Sequence, residues 1–478
     1  MAESFDYPLI PAKVNFNKTF QDWDGFGINY VETAQTPDYA ADPQDYGGFR
    51  TLSDDKRQEI IDLIFGADGL KPGVFKMFID CFQQDEEHLN GPALGDIDLK
   101  NYDHETTTSW MRYFIREGLK KTRARGDDLQ GVATLYGPPA FMTKTKQVRG
   151  RDLDPKYETE LAKYLVSFAK YMNECEGIPI RYLSIHNEGE DFYRWPPDGK
   201  DSNIGTGHDY NLYWPPGAVA SFLPLLKKVA LAAGTDYLPA PGECSGWTRF
   251  SHWGYANEIA ESPEAMDAIG LITSHGFWGP GLSDPFSSTH ADTGIAMIRA
   301  EKPSLHAWVT STSWAKMDSK FTYEIHRNIY DAHVNAIIPW AAIQLAGGWV
   351  GGDPNPGCAI SVPGDGTYEV RKGYYYYKHF CRFGQPGMKV ASAYVSNTAC
   401  AVAAFASNGT KNPNAIIAVN TATKDHTLRL QIIGGGKKYH LYTTSPDSYY
   451  EDRGVLEAEE GVICLPCPAD SVSTLVQI

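Results

Sequence analysis

The chain has 478 residues, of which 42% are hydrophobic and 21% charged, with 45 Gly and 30 Pro spread along it. This excludes disordered, collagen-like and coiled-coil chains, and the length suits one closed α/β barrel of roughly 250 residues with a second unit attached. The formal charge of −16 comes without any long Lys/Arg cluster, which argues against nucleic acid or an anionic membrane surface as a partner.

The first twenty residues alternate Val14, Phe16 and Phe20 and read as a strand that precedes the barrel and crosses over to a C-terminal sheet. From Asp24 to about Gly384, short apolar runs alternate with longer amphipathic segments, the signature of repeated βα units around a parallel sheet. The spacing predicts eight strands: Gly25–Tyr30, Val74–Ile79, Gly131–Leu135, Tyr182–Asn187, Tyr237–Pro241, Ala268–His275, His306–Thr310 and Ala336–Ile343. Ser53, ahead of two Asp residues and an apolar run, predicts a helix cap, since its hydroxyl can accept an orphan backbone N–H. In Pro155–Cys175, Tyr157, Leu161, Tyr164, Leu165, Phe168 and Met172 share one face of a predicted helix. After Pro386-Gly387 the pattern becomes β-rich, with runs such as Ala391–Tyr394, Ala415–Val419, Thr427–Ile433 and Val462–Leu465 broken by Asn, Gly and Asp turns. The fold expected is therefore α/β, a (β/α)8 TIM barrel over 21–385 with an all-β side domain, a β-sandwich, built from 1–20 and 386–478.

No run approaches the roughly 20 apolar residues that a bilayer span needs, and Met1 to Lys13 has no basic segment followed by an apolar one. Eight scattered Cys suit reduced thiols in the cytoplasm, and a secreted chain whose export signal has been removed would read the same. Cys464 and Cys467 have CxxC spacing without a second pair nearby, so an ordinary structural pair is expected and no metal.

In a barrel of this kind, functional groups gather where the parallel strands end. The fourth predicted strand ends in Ile185-His186-Asn187-Glu188-Gly189-Glu190. An Asn and a carboxylate side by side can orient a substrate hydroxyl and protonate a leaving oxygen, which makes Glu188 the candidate general acid/base and Glu190 its local rival. A retaining glycosidase needs a second carboxylate about 5–5.5 Å away. The seventh strand end, His306-Ala307-Trp308-Val309-Thr310-Ser311-Thr312, carries none.

Several motifs, in order, resemble glycoside hydrolase family 30: Asp24-Gly25-Phe26-Gly27, Gly137-Pro138-Pro139-Ala140-Phe141-Met142, Ile185 to Glu188, Ser274-His275-Gly276-Phe277, and His379-Phe380-Cys381-Arg382-Phe383 with Pro386-Gly387. The resemblance runs over nearly the whole chain. It implies a retaining β-glycosidase acting on a β-glycoside or oligosaccharide without cofactor or metal, with Asn187 on the sugar 2-hydroxyl and Glu188 as acid/base. Ser311 stands where the family has its nucleophilic Glu. A hydroxyl there is a poor nucleophile and cannot balance an oxocarbenium-like charge, so turnover should be nearly abolished. The intact surroundings favour a Glu→Ser replacement, of the kind that makes a glycosynthase, over natural loss. The alternative is a non-catalytic carbohydrate-binding barrel.

Asp80, Tyr136, Glu243, His275, Trp308 and Trp340 complete the candidate sugar contacts, with Glu243 the one other plausible active-site acid. Aromatic residues make up 13% of the chain. Phe192, Tyr193, Trp195, Trp247, Trp278 and Trp349 lie in predicted loops, where flat rings suit sugar C–H faces, whereas Tyr374 to Tyr377 read as helix packing. A metal-dependent reading would use His186, Glu188 and His275.

Overall fold

A computed structural model describes residues 9–200, 210–277, 292–312, 317–347 and 358–478. After an N-terminal strand β1 (Ile10–Asp22), eight parallel strands follow in order: β2 (Gly25–Asn29), β3 (Val74–Ile79), β4 (Gln130–Leu135), β5 (Ile180–Ser184), β6 (Leu238–Ala240), β7 (Ile272–Ser274), β8 (Ala307–Val309) and β9 (Ala336–Ile337). Neighbours in sequence pair from β2 to β6 and from β7 to β9, and β9 closes back onto β2. The junction of β6 and β7 is joined by Gly270 N donating to Pro239 O at 2.8 Å and His275 N to Cys244 O at 2.8 Å. Helices lie between the strands, which makes the architecture a (β/α)8 barrel.

Local chemistry places these elements. Ser53 Oγ accepts from Lys56 N at 3.4 Å and caps the helix Asp54–Phe65, whose first-turn Asp54 and Asp55 suit its positive dipole end. The helix expected from Pro155 starts at Glu158, because Pro155–Tyr157 form a tighter 3-10 turn under the Asp154 cap. The eighth barrel strand stops at Ile337, well before Ile343. Pro339 has no N–H to continue the ladder, and Ile343–Leu345 instead pair with Ile360–Val362 in a separate three-stranded sheet.

The barrel interior is divided along its axis. Its floor is apolar, a cluster of Val74, Val132, Tyr182, Ala240, Leu271, Trp308, Ala336 and Ile338. Toward the strand ends the buried side chains turn polar: Asn29, Lys76, Thr134, Ser184, Glu243 and His275. Interior positions at the C-terminal rim thus hold the charges, and the floor holds them in register.

β1 lies in a nine-stranded sheet with the C-terminal strands, antiparallel to Lys389–Val395 and parallel to His426–Ile433. Its edge strand Val462–Cys467 packs over Ala415–Asn420 and Ser471–Gln477, which are not its hydrogen-bonded neighbours, so the sheet curls around its own core of Val14, Val402, Ile416, Leu430, Leu441 and Leu475. The other face of Cys400–Ala406 and Ala415–Asn420 rests on the barrel helix Ser319–Tyr330. Within Val462–Cys467, Cys464 faces solvent and Cys467 the core. Residues three apart on a strand point to opposite faces, so these thiols do not converge. No helix among the described residues is long and apolar enough to cross a membrane.

Candidate active site

The rim of the barrel is built outward from β5. Beyond its last residue the chain keeps pairing with the segment after β6: Glu243 N donates to His186 O at 2.9 Å and Glu188 N to Glu243 O at 2.7 Å. Gly242 permits this approach. Its φ is +94°, and a Cβ there would lie 2.1 Å from the His186 ring. Glu188 itself has φ +50°, a left-handed conformation uncommon for a side-chain-bearing residue and held here by the bridge to Glu243.

Both oxygens of Glu188 are engaged by cationic groups. Arg194 Nη2 donates to Oε2 at 2.8 Å, and His275 Nδ1 lies 3.0 Å from Oε1. The opposite ring nitrogen, His275 Nε2, is 3.2 Å from Glu243 Oε2. Glu243 is fully buried, and its carboxylate also takes the Lys76 ammonium and the Thr134 hydroxyl. The result is an alternating row of Arg194, Glu188, His275, Glu243 and Lys76. Burial pushes the Glu188 carboxyl upward, but the Arg194 guanidinium and the His275 imidazole outweigh it and hold the group well below the usual carboxylate range. Burial likewise opposes ionisation of Glu243, while Lys76 and His275 bring it down to about 2. His275 is pushed down by burial and pulled up further by the two carboxylates, a net rise that favours the imidazolium donating to both.

Ser311 is buried, and its carbonyl accepts Gly276 N at 2.8 Å. His275, the chain neighbour of Gly276, touches Glu188, so residues 188 and 311 each contact one of two consecutive residues on the same rim.

The remaining candidates are placed unequally. Asp80 is 1% exposed and its carboxylate is used locally, accepting Phe82 N and Gln83 Nε2, each at 2.8 Å. Burial raises it to about 6. Tyr136 is buried and stacks on Phe78 at 4.7 Å. Asn187 is buried, and its carbonyl accepts Asn211 Nδ2 at 2.6 Å. Trp340 is 5% exposed, stacked on Tyr46 and edge-on to Phe78. Trp308 is not on the rim. Its indole is fully buried in the apolar floor and donates to Asp24 Oδ2 at 2.7 Å, because the middle residue of β8 points inward below the strand end. Glu190 is buried with Oε1 on Ser245 and Arg249. His186 lies behind the rim, stacked on Trp214, with Nδ1 accepting Gly189 N at 3.2 Å, and burial lowers it to about 4. Among the described residues, no group of three His, Cys, Asp or Glu side chains is placed to hold a metal ion.

Of the loop aromatics, Trp195 and Trp247 are buried, their indoles donating to Arg149 O and Asn328 Oδ1, whereas Phe192 and Tyr193 are exposed. Trp278 and Trp349 lie outside the described residues. Tyr374, Tyr376 and Tyr377 are buried in their helix.

Four contributors escaped the sequence reading. Lys76 had a signal, a lone cation inside the apolar run Val74–Ile79, which must find a buried partner. Asn29 and Ser184, at the ends of β2 and β5, bury side-chain polar atoms that meet no partner among the described residues. Arg194 had none, being one charged residue in a loop.

No protein-family model and no curated protein matches this chain. Solved structures do. The catalytic domain of a GH30 xylanase C from Talaromyces cellulolyticus superposes with a TM-score of 0.70 at 19% identity, over 98% of this chain and 100% of that one. SrfJ from Salmonella typhimurium gives 0.71 at 15% identity, over 99% and 94%. An endo-β-1,6-glucanase gives 0.66 at 14% identity, over 98% and 94%. At these identities the likeness establishes the shared barrel with its attached β-domain.

Proposed function

We propose that this protein is built as a retaining β-glycosidase in which Glu188 is the general acid/base, Asn187 orients the sugar 2-hydroxyl, and Ser311 occupies the nucleophile position without the charge the reaction needs. One observation carries the reading. Of the described acids placed directly after the barrel strands, Glu32, Asp80, Glu190 and Glu243 are all nearly inaccessible and committed to internal partners. Glu188 alone among them keeps 22% of its side chain exposed. The xylanase and glucanase functions of proteins with this fold support a glycoside as substrate.

In the complete reaction a carboxylate at 311 would attack the anomeric carbon as the glycosidic C–O bond breaks, and Glu188 would pass its proton to the departing oxygen. Water, deprotonated by Glu188, would then release the sugar with retained configuration. With Ser311 the first bond is not made, so the chain binds glycosides but hydrolyses them poorly.

Replacing Ser311 by Glu tests this on aryl β-glycosides of glucose, galactose, xylose and fucose. Hydrolysis should rise by orders of magnitude on at least one of them, and NMR should show the β-anomer formed first. No gain on any sugar, or an inverted first product, rejects the reading. The second reading, a carbohydrate-binding barrel, is favoured by the Arg194–Glu188 pair, which keeps the acid ionised. It predicts calorimetric binding of a methyl β-glycoside with no hydrolysis after the replacement.

A further inference from the structure

The loop after β5 carries two carboxylates, Glu188 and Glu190, and one arginine that can reach toward both. Arg194 closes the short turn Phe192–Arg194, capped by Asp191, whose side chain accepts Tyr193 N at 3.1 Å. Its guanidinium meets Glu188 Oε2 at 2.8 Å, with 14% of the Arg194 side chain exposed. The other partner of Glu188, His275, follows a barrel strand and is braced from behind by Glu243 and Lys76. Of the two cations on Glu188, one is fixed in the barrel wall and the other rides on a loop.

Glu190 offers that loop cation a second seat. Its Oε1 is fully used, accepting Ser245 N at 2.7 Å, Ser245 Oγ at 2.6 Å and Arg249 Nη1 at 3.1 Å. Its Oε2 is buried and has no hydrogen-bond partner among the described residues. A buried carboxylate oxygen left without a donor is costly, and a guanidinium is the donor best matched to it. Arg194 already acts on this group: burial raises the Glu190 carboxyl, and among the charges that pull it down Arg194 comes first.

We propose that Arg194 is a two-position latch, seated on Glu188 in the free protein and moved to Glu190 Oε2 when a glycoside enters the rim, so that Glu188 becomes able to carry a proton only with substrate in place. The inference rests on the reading of Glu188 as acid/base. A carboxylate gripped by both an arginine and an imidazolium stays ionised and cannot act as a general acid at neutral pH. Once Arg194 moves, a proton from solvent binds one Glu188 oxygen. That O–H bond breaks as the glycosidic oxygen takes the proton and its bond to the anomeric carbon breaks, while, in Ser311→Glu, the carboxylate at 311 forms its own bond to that carbon. Ionised Glu188 is then ready for Arg194 to return. The charged groups facing Glu188 are Arg194 and Glu190 from its own loop and His275 from the end of β7, with Glu243 and Lys76 behind. Arg194 itself also faces Asp191, and Arg249 lies against both Glu190 and Asp191.

The hold on Glu188 is tested in the chain as it stands by carboxyl 13C NMR titration, with the Glu188 resonance assigned by loss in Glu188→Gln. Arg194→Gln should move the Glu188 midpoint up by about one unit or more. An unchanged midpoint overturns the latch. The second seat is tested with Ser311→Glu added, so that turnover is measurable. There Glu190→Gln should lower kcat about tenfold or more with little change in KM, and Glu190→Asp, which keeps an acceptor oxygen, should stay within about threefold of the parent. Arg194→Gln in that background should carry the alkaline limb of kcat/KM to higher pH. A normal kcat in Glu190→Gln overturns the second seat. If Ser311→Glu hydrolyses none of the glycosides, the acid/base reading and the second seat fall together, while the titration still decides whether Arg194 holds Glu188.

Discussion

Arg194 Nη2 and Glu188 Oε2 lie 2.8 Å apart at the barrel rim, so the reachable carboxylate of the site is paired with a cation from its own loop. On the proposed reading Glu188 and Ser311 differ in what each withholds from the reaction: one holds a charge where a proton is needed, the other a hydroxyl where a charge is needed. Small anions separate the two roles by stereochemistry. Added azide should attack an activated 2,4-dinitrophenyl β-glycoside in the chain as it stands from the side of Ser311 and give the α-glycosyl azide. With Ser311→Glu and Glu188→Ala combined, azide should enter from the opposite face and give the β-glycosyl azide. The anomeric proton coupling in the NMR spectrum of the isolated azide reads this out, and the same anomer from both proteins would contradict the assignment.

Glu243 serves stability through Lys76. Glu243→Gln leaves a fully buried ammonium facing a neutral amide, and breaking a buried pair from one side costs about 3–5 kcal/mol. Urea unfolding should show a loss of that size. Adding Lys76→Met should recover most of it, because the double replacement leaves no buried charge. Recovery of less than a third would mean that the Thr134 and His275 contacts to Glu243, not the charge pair, dominate.

His275 gives the site a pH dependence whose sign follows from its neighbours. Its folded-state value is raised above the unfolded value of about 6.5, so its contribution is complete below that pH and is lost as pH rises through the folded value. Glu243, lowered to about 2, contributes above its unfolded value of about 4.3 and loses that contribution as pH falls toward about 2. The melting temperature of the protein should therefore exceed that of His275→Gln most between roughly pH 5 and 6.5, and the gap should narrow by pH 9. A gap that widens with pH would mean the imidazole is neutral in the folded state.

Much of this architecture was legible in the sequence because it follows from local pattern. Eight apolar runs separated by amphipathic segments specify a barrel, and β3 from Val74 to Ile79 was read to the residue. Strand ends were read less well. Tyr182–Asn187 was predicted as strand, yet regular pairing in β5 ends at Ser184 and the next residues bend to meet Glu243, a contact between segments that no periodicity encodes. The same limit applies to the site. Residue type and position marked Glu188, Glu243 and His275, but not that His275 would lie between the two acids, nor that Arg194 would close over one of them. Those relationships depend on loop conformation, and one residue of loop carries no repeat from which to infer it.

Trp308 shows how a correct strand can still give a wrong direction for one side chain. Three residues before Ser311 it reads as a sugar contact, but its indole N–H is 2.7 Å from Asp24 Oδ2, and Asp24, which precedes β2, also takes His306 Nδ1 at 2.7 Å. Both partners belong to the N-terminal end of the barrel, opposite the rim that holds Glu188. Trp308→Phe keeps the ring in the floor cluster and removes the donor, leaving Asp24 with His306. Loss of a hydrogen bond to a charged acceptor costs about 1.5–3 kcal/mol, so urea unfolding should show a loss in that range. Calorimetric affinity for a methyl β-glycoside should stay within about twofold, since nothing on the rim has changed. A tenfold loss of affinity with unchanged stability would return Trp308 to the binding surface and require the register of β8 to be redrawn.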